Sequence, residues 1–456
     1  MPSFDPWLSI TMAMDAAAAG HADGAGLAAR RERRLGALLK TAAERSPLFR
    51  RLLAGRTALC ELPVTRKTEL MAQFSQWLTE PRLRLPALHA FIADPGNIGR
   101  PFMGRYTVWE SSGSSGEPCI FVQDAAAMAA YDALEAVRRP RLRPLSQWLD
   151  PYWLGERMAF VGATNGHFAS TVGIARLRQL NPVLAPRLHI LDFLQPMAQL
   201  VHQLNALSPT IVATYPSAAV LLAKERQGGR LRAAVREIWT GGEELSPAMR
   251  RFVQTAFDCP VTNSYGASEF LSLAFECPLG QLHLNSDWAI LESVDERGRP
   301  VPDGTAGATT LLTNLANHVQ PLIRYDLGDR VRLHAQACSC GSHLPVLEVE
   351  GRCDDTLHLG GAPAEVSVLP LALCTVLESE AGLFDFQLVQ EGPSALLLRT
   401  RLRGDAADSA LQRGRRALEA FLRTQGARGV HIRCRSAQAC PGGRSGKVQR
   451  VVGAGH

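Results

Sequence analysis

Short β-type runs alternate with helical stretches through the middle of this 456-residue chain. The helical stretches cover roughly 124–137, 194–206, 216–226 and 246–257. Between them stand short runs rich in Ile and Val, namely Ile120–Val122, Ile211–Ala213, Ile238–Thr240 and Val261–Asn263. A repeated strand-then-helix order is typical of a parallel sheet covered by helices. The sequence therefore predicts an α/β core.

Composition excludes several other classes of protein. Apolar residues make up 46% of the chain and charged residues 20%, which is too apolar and too evenly charged for a disordered chain. No run approaches the roughly 18 apolar residues that a membrane-spanning helix needs. Ten cysteines are too few for a disulfide scaffold and fit a reducing cytoplasm. The net charge of +6 weakly favours an anionic ligand, and no aromatic residues interleave the arginine clusters as nucleic-acid binding would require.

Changes of pattern along the chain predict its domain organisation. Residues 1–29 contain Ala-rich and Gly-rich stretches with no Lys or Arg before Arg30, so we expect a loose N-terminal extension in the cytoplasm and no signal peptide. A large domain is predicted over 30–352, with a β-rich subdomain at about 275–350. A small α+β domain is predicted over 353–456, because helical and β-type runs alternate again after Gly351.

The later elements are predicted from the same periodicities. Strands are expected at His283–Leu291, Gly307–Thr313, Asp329–Leu333, Phe386–Val389, Leu396–Thr400 and Val430–Cys434. Helices are expected at about 368–379 and 406–424.

A Ser/Gly-rich segment, Ser111–Pro118, follows the β-type run Tyr106–Trp109. Its two glycines let backbone amides approach phosphate oxygens, and its four serines add small hydroxyl donors. The segment lacks the Gly-Lys-Ser/Thr ending of a Walker loop. It is a candidate phosphate-binding loop, and the alternative is a flexible linker.

Five further motifs follow this loop in a fixed order. They are Thr240-Gly241-Gly242-Glu243, Tyr265-Gly266-Ala267-Ser268-Glu269, Tyr325-Asp326-Leu327-Gly328-Asp329-Arg330, Gly351-Arg352-Cys353-Asp354-Asp355 and Gly446-Lys447-Val448-Gln449-Arg450. The ordered set resembles the adenylate-forming superfamily of acyl-CoA synthetases, peptide-synthetase adenylation domains and luciferases. Within it, the closest match is the phenylacetate–CoA ligase-like branch, and the resemblance extends from about residue 30 to 450.

The resemblance implies an enzyme, an acid–thiol ligase. Such an enzyme uses ATP and Mg²⁺ to convert a carboxylic acid, here an aryl or arylalkyl acid, to an acyl-adenylate with release of pyrophosphate. A thiol of CoA or of a carrier protein's phosphopantetheine then displaces AMP. The implied fold is a large AMP-binding domain and a small mobile C-terminal domain. A homodimer is also implied, since dimers occur in this branch.

The resemblance also assigns roles to single residues. The phosphate loop would be Ser112, Gly113, Ser114, Ser115 and Gly116. Residues expected around the adenine are Gly241, Gly242, Glu243, Tyr265 and Gly266. Glu269 would hold Mg²⁺, Asp329 the ribose hydroxyls, and Arg352 another part of the nucleotide. Asp354 would be the hinge about which the small domain rotates between the two half-reactions, and Lys447 the mobile lysine that bridges the α-phosphate and the carboxylate. Each acid has a plainer alternative as a surface or turn residue, and Lys447 as a solvated tail residue.

The acyl pocket and one departure from the family pattern complete the nucleotide-site predictions. The pocket candidates are Phe160, His167, Tyr215 and Ala267. Ordinary core packing is the alternative for Phe160 and Tyr215, and a hydrogen-bonded or exposed histidine is the alternative for His167. Glu117 stands where the family usually has a lysine, and a carboxylate there repels phosphate. Two other functions therefore stay open: a degenerate, non-catalytic nucleotide-binding member of the superfamily, and an NTPase that uses the Ser/Gly loop alone.

Three cysteines and one histidine form a candidate metal site. Cys338 and Cys340 are separated by one residue, and Cys277 precedes His283 by six. Three thiolates and one imidazole suit tetrahedral Zn²⁺, but the distance between the two pairs along the chain prevents local spacing from joining them. The resemblance implies a structural zinc site at these positions. The alternatives are His343 as the fourth ligand, or thiols without metal.

Overall fold

The computed structural model describes residues 3–56, 58–111, 119–140, 142–143, 150, 155–164, 166–193, 195–352, 357–360, 366–368, 370–438 and 449–453. Within these residues it is a mixed α/β structure, which confirms the predicted fold class. No helix within these residues combines the length and the apolarity that crossing a bilayer requires.

The N-terminal part of the chain is helical. Its helices are α1 (Pro6–Gly20), α2 (Gly24–Arg45), α3 (Pro47–Leu53), α4 (Lys67–Ala72), α5 (Phe74–Trp77) and α6 (Leu85–Ile92). Asp5 caps α1 by accepting hydrogen bonds from two backbone N–H groups of its first turn, and Asp23 caps α2. The structure thus differs from the loose extension predicted for residues 1–29. The Asp-initiated helical turns and the burial of Ala16, Ala19 and Leu27 are the physical reason.

A hairpin and a helix follow. Strands β1 (Thr107–Glu110) and β2 (Ile120–Gln123) pair antiparallel, and α7 (Ala125–Arg138) comes next and packs against α1. The observed β2 and α7 confirm the strand and helix predicted here.

The region of strand–helix alternation forms five parallel strands that lie side by side. Its elements in order are β3 (Met158–Gly162), α8 (Ala169–Leu180), β4 (Leu188–Asp192), α9 (Met197–Leu207), β5 (Ile211–Thr214), α10 (Pro216–Gln227), β6 (Glu237–Gly241), α11 (Pro247–Phe257) and β7 (Val261–Ala267). The predicted strands and helices of this region are confirmed. Val161, Val212 and Ile238 on one face of the sheet share a core with α9, α10 and α11.

The β-rich region contributes to two sheets. Its elements are β8 (Phe270–Glu276), β9 (Leu282–Leu284), β10 (Ala289–Val294), β11 (Thr309–Asn314), β12 (Tyr325–Asp326), β13 (Asp329–His334) and β14 (Val346–Arg352). The nine-stranded main sheet has the order β13-β14-β9-β8-β7-β6-β5-β3-β4, and β10-β11-β12 form a separate sheet. The single strand predicted over His283–Leu291 is therefore two strands in different sheets. The chain turns between them, where Asn285 accepts backbone hydrogen bonds from Trp288 and Ala289.

The C-terminal part has its own hydrophobic core. Its elements are β15 (Leu357–Leu359), β16 (Val366–Val368), α12 (Pro370–Ala381), β17 (Gln387–Gly392), β18 (Ala395–Arg399), α13 (Asp405–Thr424), β19 (His431–Arg435) and β20 (Val451–Val452). Strands β17–β20 form a four-stranded sheet, and all buried members of this core lie between Leu357 and Val451. We call the described residues from Leu357 onward the small domain; the exact boundary near residue 352 stays a prediction.

Candidate active site

The carboxyl ends of three parallel strands bring the predicted adenine residues and two of the predicted acyl residues to one edge of the sheet. Tyr215 directly follows β5, Gly241 ends β6, and Tyr265 and Ala267 end β7. The strand register places Gly241 beside Ser264. Open α/β sheets bind their ligands outside this edge, because the loops there diverge from the strand ends.

Glu243 is held at this edge by a neighbouring helix. The backbone N–H of Ser217, in the first turn of α10, donates to Glu243 Oε2 at 3.0 Å. The other carboxylate oxygen, Oε1, is buried and has no hydrogen-bond partner among the described residues. Gly242 before it has a positive φ of 76°, a conformation that glycine adopts without strain. The turn therefore presents a fixed carboxylate with one acceptor oxygen unused by the described residues.

Tyr265 and Asp329 are in direct contact. The Tyr265 hydroxyl donates to Asp329 Oδ2 at 2.6 Å, although the residues are 64 positions apart. Asp329 pairs with Arg352 in the register of β13 and β14. Three predicted nucleotide residues thus meet through one hydrogen bond and one strand pair.

Gly266, next to Tyr265, admits no side chain. A Cβ at this position would lie 2.0 Å from the carbonyl oxygen of Leu271. The close approach belongs to the β7–β8 hairpin, whose register shifts between Tyr265 and Ala267. Glycine is therefore required here by backbone packing, whatever its relation to a ligand.

Glu269 lies beside the base of the Ser/Gly loop. Trp109 Nε1 donates to the carbonyl oxygen of Ser268 at 2.8 Å, and Asn314 Nδ2 donates to the carbonyl oxygen of Glu269 at 2.9 Å. The Tyr325 hydroxyl hydrogen-bonds the Glu269 carboxylate; burial above all, and then the charge of Glu269, raise the pKa of Tyr325 well above its usual value. These contacts fix both the backbone and the side chain of Glu269.

The ends of the Ser/Gly loop are tied together. The N–H of Ser111 donates to the carbonyl oxygen of Cys119 at 2.9 Å, and the N–H of Cys119 donates to Ser111 Oγ at 2.9 Å. Ser111 and Cys119, which flank the loop in the sequence, are therefore held together at the end of the β1–β2 hairpin. Several predicted residues lie outside the described residues: Ser112, Gly113, Ser114, Ser115, Gly116, Glu117, Asp354 and Lys447.

The acyl-pocket candidates are mostly buried. Phe160, His167 and Tyr215 are 7%, 1% and 6% exposed, and Ala267 is partly buried. Phe160 packs over its own strand, since a Cβ on Gly162 would lie 2.4 Å from the Phe160 ring. Burial, followed by the charge of Glu243, raises the pKa of Tyr215 to about 12, so its phenol stays neutral. Burial lowers the pKa of His167, which favours a neutral ring beside Phe91, 5.8 Å away between centroids.

The two halves of the predicted metal site come together. The ligand atoms of Cys277, His283, Cys338 and Cys340 all lie within 4.8 Å of one another. Cys340 Sγ is 3.4 Å from His283 Nε2, and His283 Nδ1 is 2.8 Å from the carbonyl oxygen of Leu344. A hydrogen bond from Nδ1 to that carbonyl leaves Nε2 as the lone-pair nitrogen that faces the thiols. The group fits a tetrahedral Cys₃His zinc site.

Several residues near the nucleotide edge were not singled out from the sequence. Ser246 caps α11, and it contacts Glu378 of the small domain, which pairs with Arg450. Burial raises the pKa of Glu244 to about 7; Glu378 adds to this shift and Arg450 opposes it. The Ser246-Pro247 pair carries a readable helix-start signal, but nothing local indicates a contact with residue 378.

Comparisons with known proteins agree with this architecture. Residues 183–310 match the family model of the AMP-binding enzymes. The chain is 28% identical to the phenylacetate–coenzyme A ligase of Thermus thermophilus over 379 residues, which cover 77% of this chain and 76% of that protein. Its fold is similar to that of 2-hydroxyisobutyryl-CoA ligase in complex with 2-HIB-AMP, with a TM-score of 0.65, 21% identity, and coverage of 94% and 90%. An anthranilate CoA ligase in complex with anthranoyl-AMP has a TM-score of 0.54, 17% identity, and coverage of 75% and 64%.

Residues 183–310 thus match the AMP-binding enzymes in sequence, and the fold is that of solved acyl-CoA ligases. The chain is a homologue of the phenylacetate–coenzyme A ligase of Thermus thermophilus. The resemblance drawn from the ordered motifs is confirmed at this level. The roles of the single residues stay predictions.

Proposed function

We propose that this chain activates a carboxylic acid with ATP to an acyl-adenylate, releasing pyrophosphate, and then transfers the acyl group to a thiol of CoA. The observation that carries the proposal is the hydrogen bond of Tyr265 to Asp329 beside the Gly241–Glu243 turn. It joins the acid predicted for the ribose to the tyrosine predicted for the adenine. The homology to CoA ligases supports the acceptor, and a carrier protein is the alternative to CoA.

The adenine end of the proposed site uses fixed polar groups. Glu243 Oε1 is the acceptor that α10 leaves for an amino group such as that of adenine, because Oε2 already accepts from Ser217. The Tyr265 ring faces the base, and Asp329 accepts from the ribose hydroxyls. Carboxylate acceptors held by other hydrogen bonds need little reorganisation when the nucleotide binds.

The phosphate end combines negative and positive groups. Glu269 is held by Tyr325 and by Asn314, and it is the proposed ligand of Mg²⁺, a hard cation that prefers carboxylate and phosphate oxygens. Bound Mg²⁺ neutralises phosphate charge. Ser112–Gly116, Arg352 and Lys447 supply the remaining donors in this proposal. The acid is predicted to have an aryl or arylalkyl group, which suits the aromatic side chains of Phe160 and Tyr215.

Acid-dependent exchange of pyrophosphate into ATP tests the proposal. Exchange with one or more members of a panel of aryl, arylalkyl and aliphatic acids supports it, and thioester formation with CoA or a carrier protein identifies the acceptor. Lys447→Ala is expected to abolish exchange and to spare thioester formation from a supplied acyl-adenylate. Acid-independent phosphate release would indicate an NTPase. Nucleotide binding without turnover would indicate a degenerate member, as Glu117 suggests.

We further propose that Cys277, His283, Cys338 and Cys340 hold one structural Zn²⁺. Cys277 directly follows β8, and His283 lies within β9. Cys338 and Cys340 lie in the loop between β13 and β14, so the metal would cross-link this loop to the main sheet. A Zn²⁺ ion bound here would contribute to the free energy of folding and would take no part in catalysis.

Metal analysis of the purified protein is expected to give one equivalent of zinc. The double variant Cys338→Ser/Cys340→Ser should lose the metal and melt at a lower temperature than wild type. Cys60→Ser serves as the matched control, because Cys60 is exposed and far from this group in the sequence. A metal-free wild-type protein contradicts the site.

A further inference from the structure

The small domain contacts the large domain at the first turn of α11. Ser246 accepts a hydrogen bond from the N–H of Met249 at 3.1 Å, and its own hydroxyl donates to the carboxylate of Glu378 on α12. Ser246 and Glu378 are each only 2% exposed. The buried carboxylate of Glu378 in the small domain therefore contacts the N-terminus of α11 in the large domain.

Arg450 completes this contact from the C-terminal end of the chain. Its guanidinium pairs with Glu378 and lies 4.4 Å from the centroid of the Phe386 ring. Nη1 of Arg450 also lies 3.6 Å from Met249 Sδ in the large domain. We call Ser246, Glu378 and Arg450 the interdomain cluster.

Two of the three residues of the interdomain cluster belong to the small domain and one to the large domain. Glu378 and Arg450 both belong to the small domain, so their ion pair moves with it. Ser246 supplies a hydrogen-bond donor from the large domain. Turning the small domain away therefore breaks the charge-assisted hydrogen bond between Ser246 and Glu378.

The position of the cluster along the chain relates it to the proposed chemistry. Ser246 follows Glu243 of the adenine turn by three residues, and Arg450 follows the predicted lysine, Lys447, by three. A contact between Ser246 and the Glu378–Arg450 pair thus connects the segment on which the nucleotide is proposed to bind with the segment that carries the lysine.

We propose that the interdomain cluster is a latch that holds the small domain in the orientation for adenylation and that opens before thioester formation. Ser246 is a positioning residue in this latch, since it acts through Glu378 and Arg450. The catalytic part of the proposal rests on the proposed function. The structural part, a contact that holds the small domain on α11, stands without it.

Three substitutions at one position separate the latch from the helix cap. Ser246→Gly removes the hydroxyl, while glycine is itself well tolerated at an N-cap. Ser246→Asp keeps a good N-cap but places a second carboxylate against Glu378. Ser246→Thr keeps both the cap and the hydroxyl donor. Glu380→Gln, at an exposed position of α12, is the control for a charge change on that helix.

The two half-reactions are measured separately. We expect Ser246→Gly to slow acid-dependent pyrophosphate exchange about tenfold and Ser246→Asp about a hundredfold, from the loss of one charge-assisted hydrogen bond and the added repulsion. Thioester formation from a supplied acyl-adenylate should stay within about twofold of wild type in both variants. Ser246→Thr should restore exchange. Equal losses in both half-reactions, or no loss in either, would overturn the latch.

Hydrogen–deuterium exchange tests the contact without any turnover. Ser246→Gly and Ser246→Asp should speed deuterium uptake in α12 and at the start of α11, with α13 unchanged as the internal control. Ser246→Thr and Glu380→Gln should match wild type. Unchanged uptake in α12 of both variants rejects the latch. If the variants show the faster uptake but the wild-type protein catalyses no pyrophosphate exchange with any acid, only the proposed function is rejected.

Discussion

In the proposed site, the ring and the hydroxyl of the single residue Tyr265 have different roles. Its ring is expected to stack on the adenine, and its hydroxyl donates to Asp329 at 2.6 Å. Because the ribose hydroxyls are expected to bind Asp329, the tyrosine hydroxyl acts on them only through that carboxylate. This makes the effect of the hydroxyl separable from that of the ring.

Tyr265→Phe should raise the KM for ATP about tenfold, since it removes one hydrogen bond to a charged group and leaves the ring. The same substitution should change the KM for 2′,3′-dideoxy-ATP less than twofold, because that nucleotide has no hydroxyls for Asp329 to bind. Steady-state pyrophosphate exchange with both nucleotides measures the difference. Equal effects on the two nucleotides would show that the hydroxyl does not act through the ribose contact.

Glu244 links the stability of the chain to pH. Burial raises its pKa from 4.5 to about 7, with Glu378 adding to the shift and Arg450 opposing it. The folded protein therefore holds the proton more tightly than the unfolded chain. The resulting stabilisation is complete below about pH 4.5 and is lost as the pH rises to about 7.

Glu244→Gln should remove this dependence. Relative to wild type, the variant should gain stability between pH 4.5 and 7, by about 3 kcal/mol at most. Urea unfolding at a series of pH values measures the gain. Glu296→Gln, at an exposed turn position, controls for the chemical change. A stability difference that does not vary with pH would contradict the shift.

At the element scale, ion pairs with Asp287 fix helices α2 and α7 to the large domain. Arg34 of α2 and Arg138 of α7 both bind Asp287, whose side chain is fully buried, and Arg138 does so with two hydrogen bonds of 2.7 and 2.8 Å. Burial opposes the charge on Asp287, but the hydrogen bonds and charges of the two arginines keep its pKa below the usual value. Arg34 also lies over the ring of Trp288, 3.6 Å from its centroid.

Asp287→Asn should destabilise the protein by about 3–5 kcal/mol, because it leaves the buried Arg138 without its counter-charge, whereas Arg34 keeps Asp15. Glu135→Gln is the matched control: Glu135 pairs with Arg139 at the surface, and its loss should cost less than about 1 kcal/mol. Denaturant unfolding compares the two variants. Similar losses would mean that the Asp287 cluster contributes no more than a surface pair.

The whole molecule has separate hydrophobic cores in its large and small domains. Val253 of α11 and Leu418 of α13 are both completely buried, but they belong to different cores. The described contacts between the domains include the interdomain cluster and the stacked rings of Phe252 and Phe384, 5.2 Å apart. Because each domain has its own core, the domains are expected to unfold in separable steps.

Leu418→Ala should therefore lower the stability of the small domain by about 2–5 kcal/mol and leave the large domain largely unchanged. Val253→Ala should lower the stability of the large domain and leave that of the small domain largely unchanged. Native-state hydrogen exchange, followed separately in α13 and β6, measures each domain. A single cooperative transition that both variants shift equally would contradict separate unfolding.

Local patterns were sufficient for much of the fold and for the class of site. The period of the apolar residues predicted α7, α9, α10 and α11 to within about three residues at each end. Local patterns failed where contacts between residues distant in the sequence decide the structure. Helix α1 was missed because its burial depends on α7, and the strand predicted at His283–Leu291 was divided because its two ends pair with different strands.

The sequence by itself determined the α/β class and the edge at which the motifs collect, because the carboxyl ends of parallel strands share one edge of a sheet. Only the tertiary structure decided which distant side chains meet. Tyr265 and Asp329 are 64 residues apart, His283 and Cys340 are 57 apart, and Ser246 and Glu378 are 132 apart. Such pairs depend on strand order and on helix packing, and the spacing of residues within one motif contains no information about either.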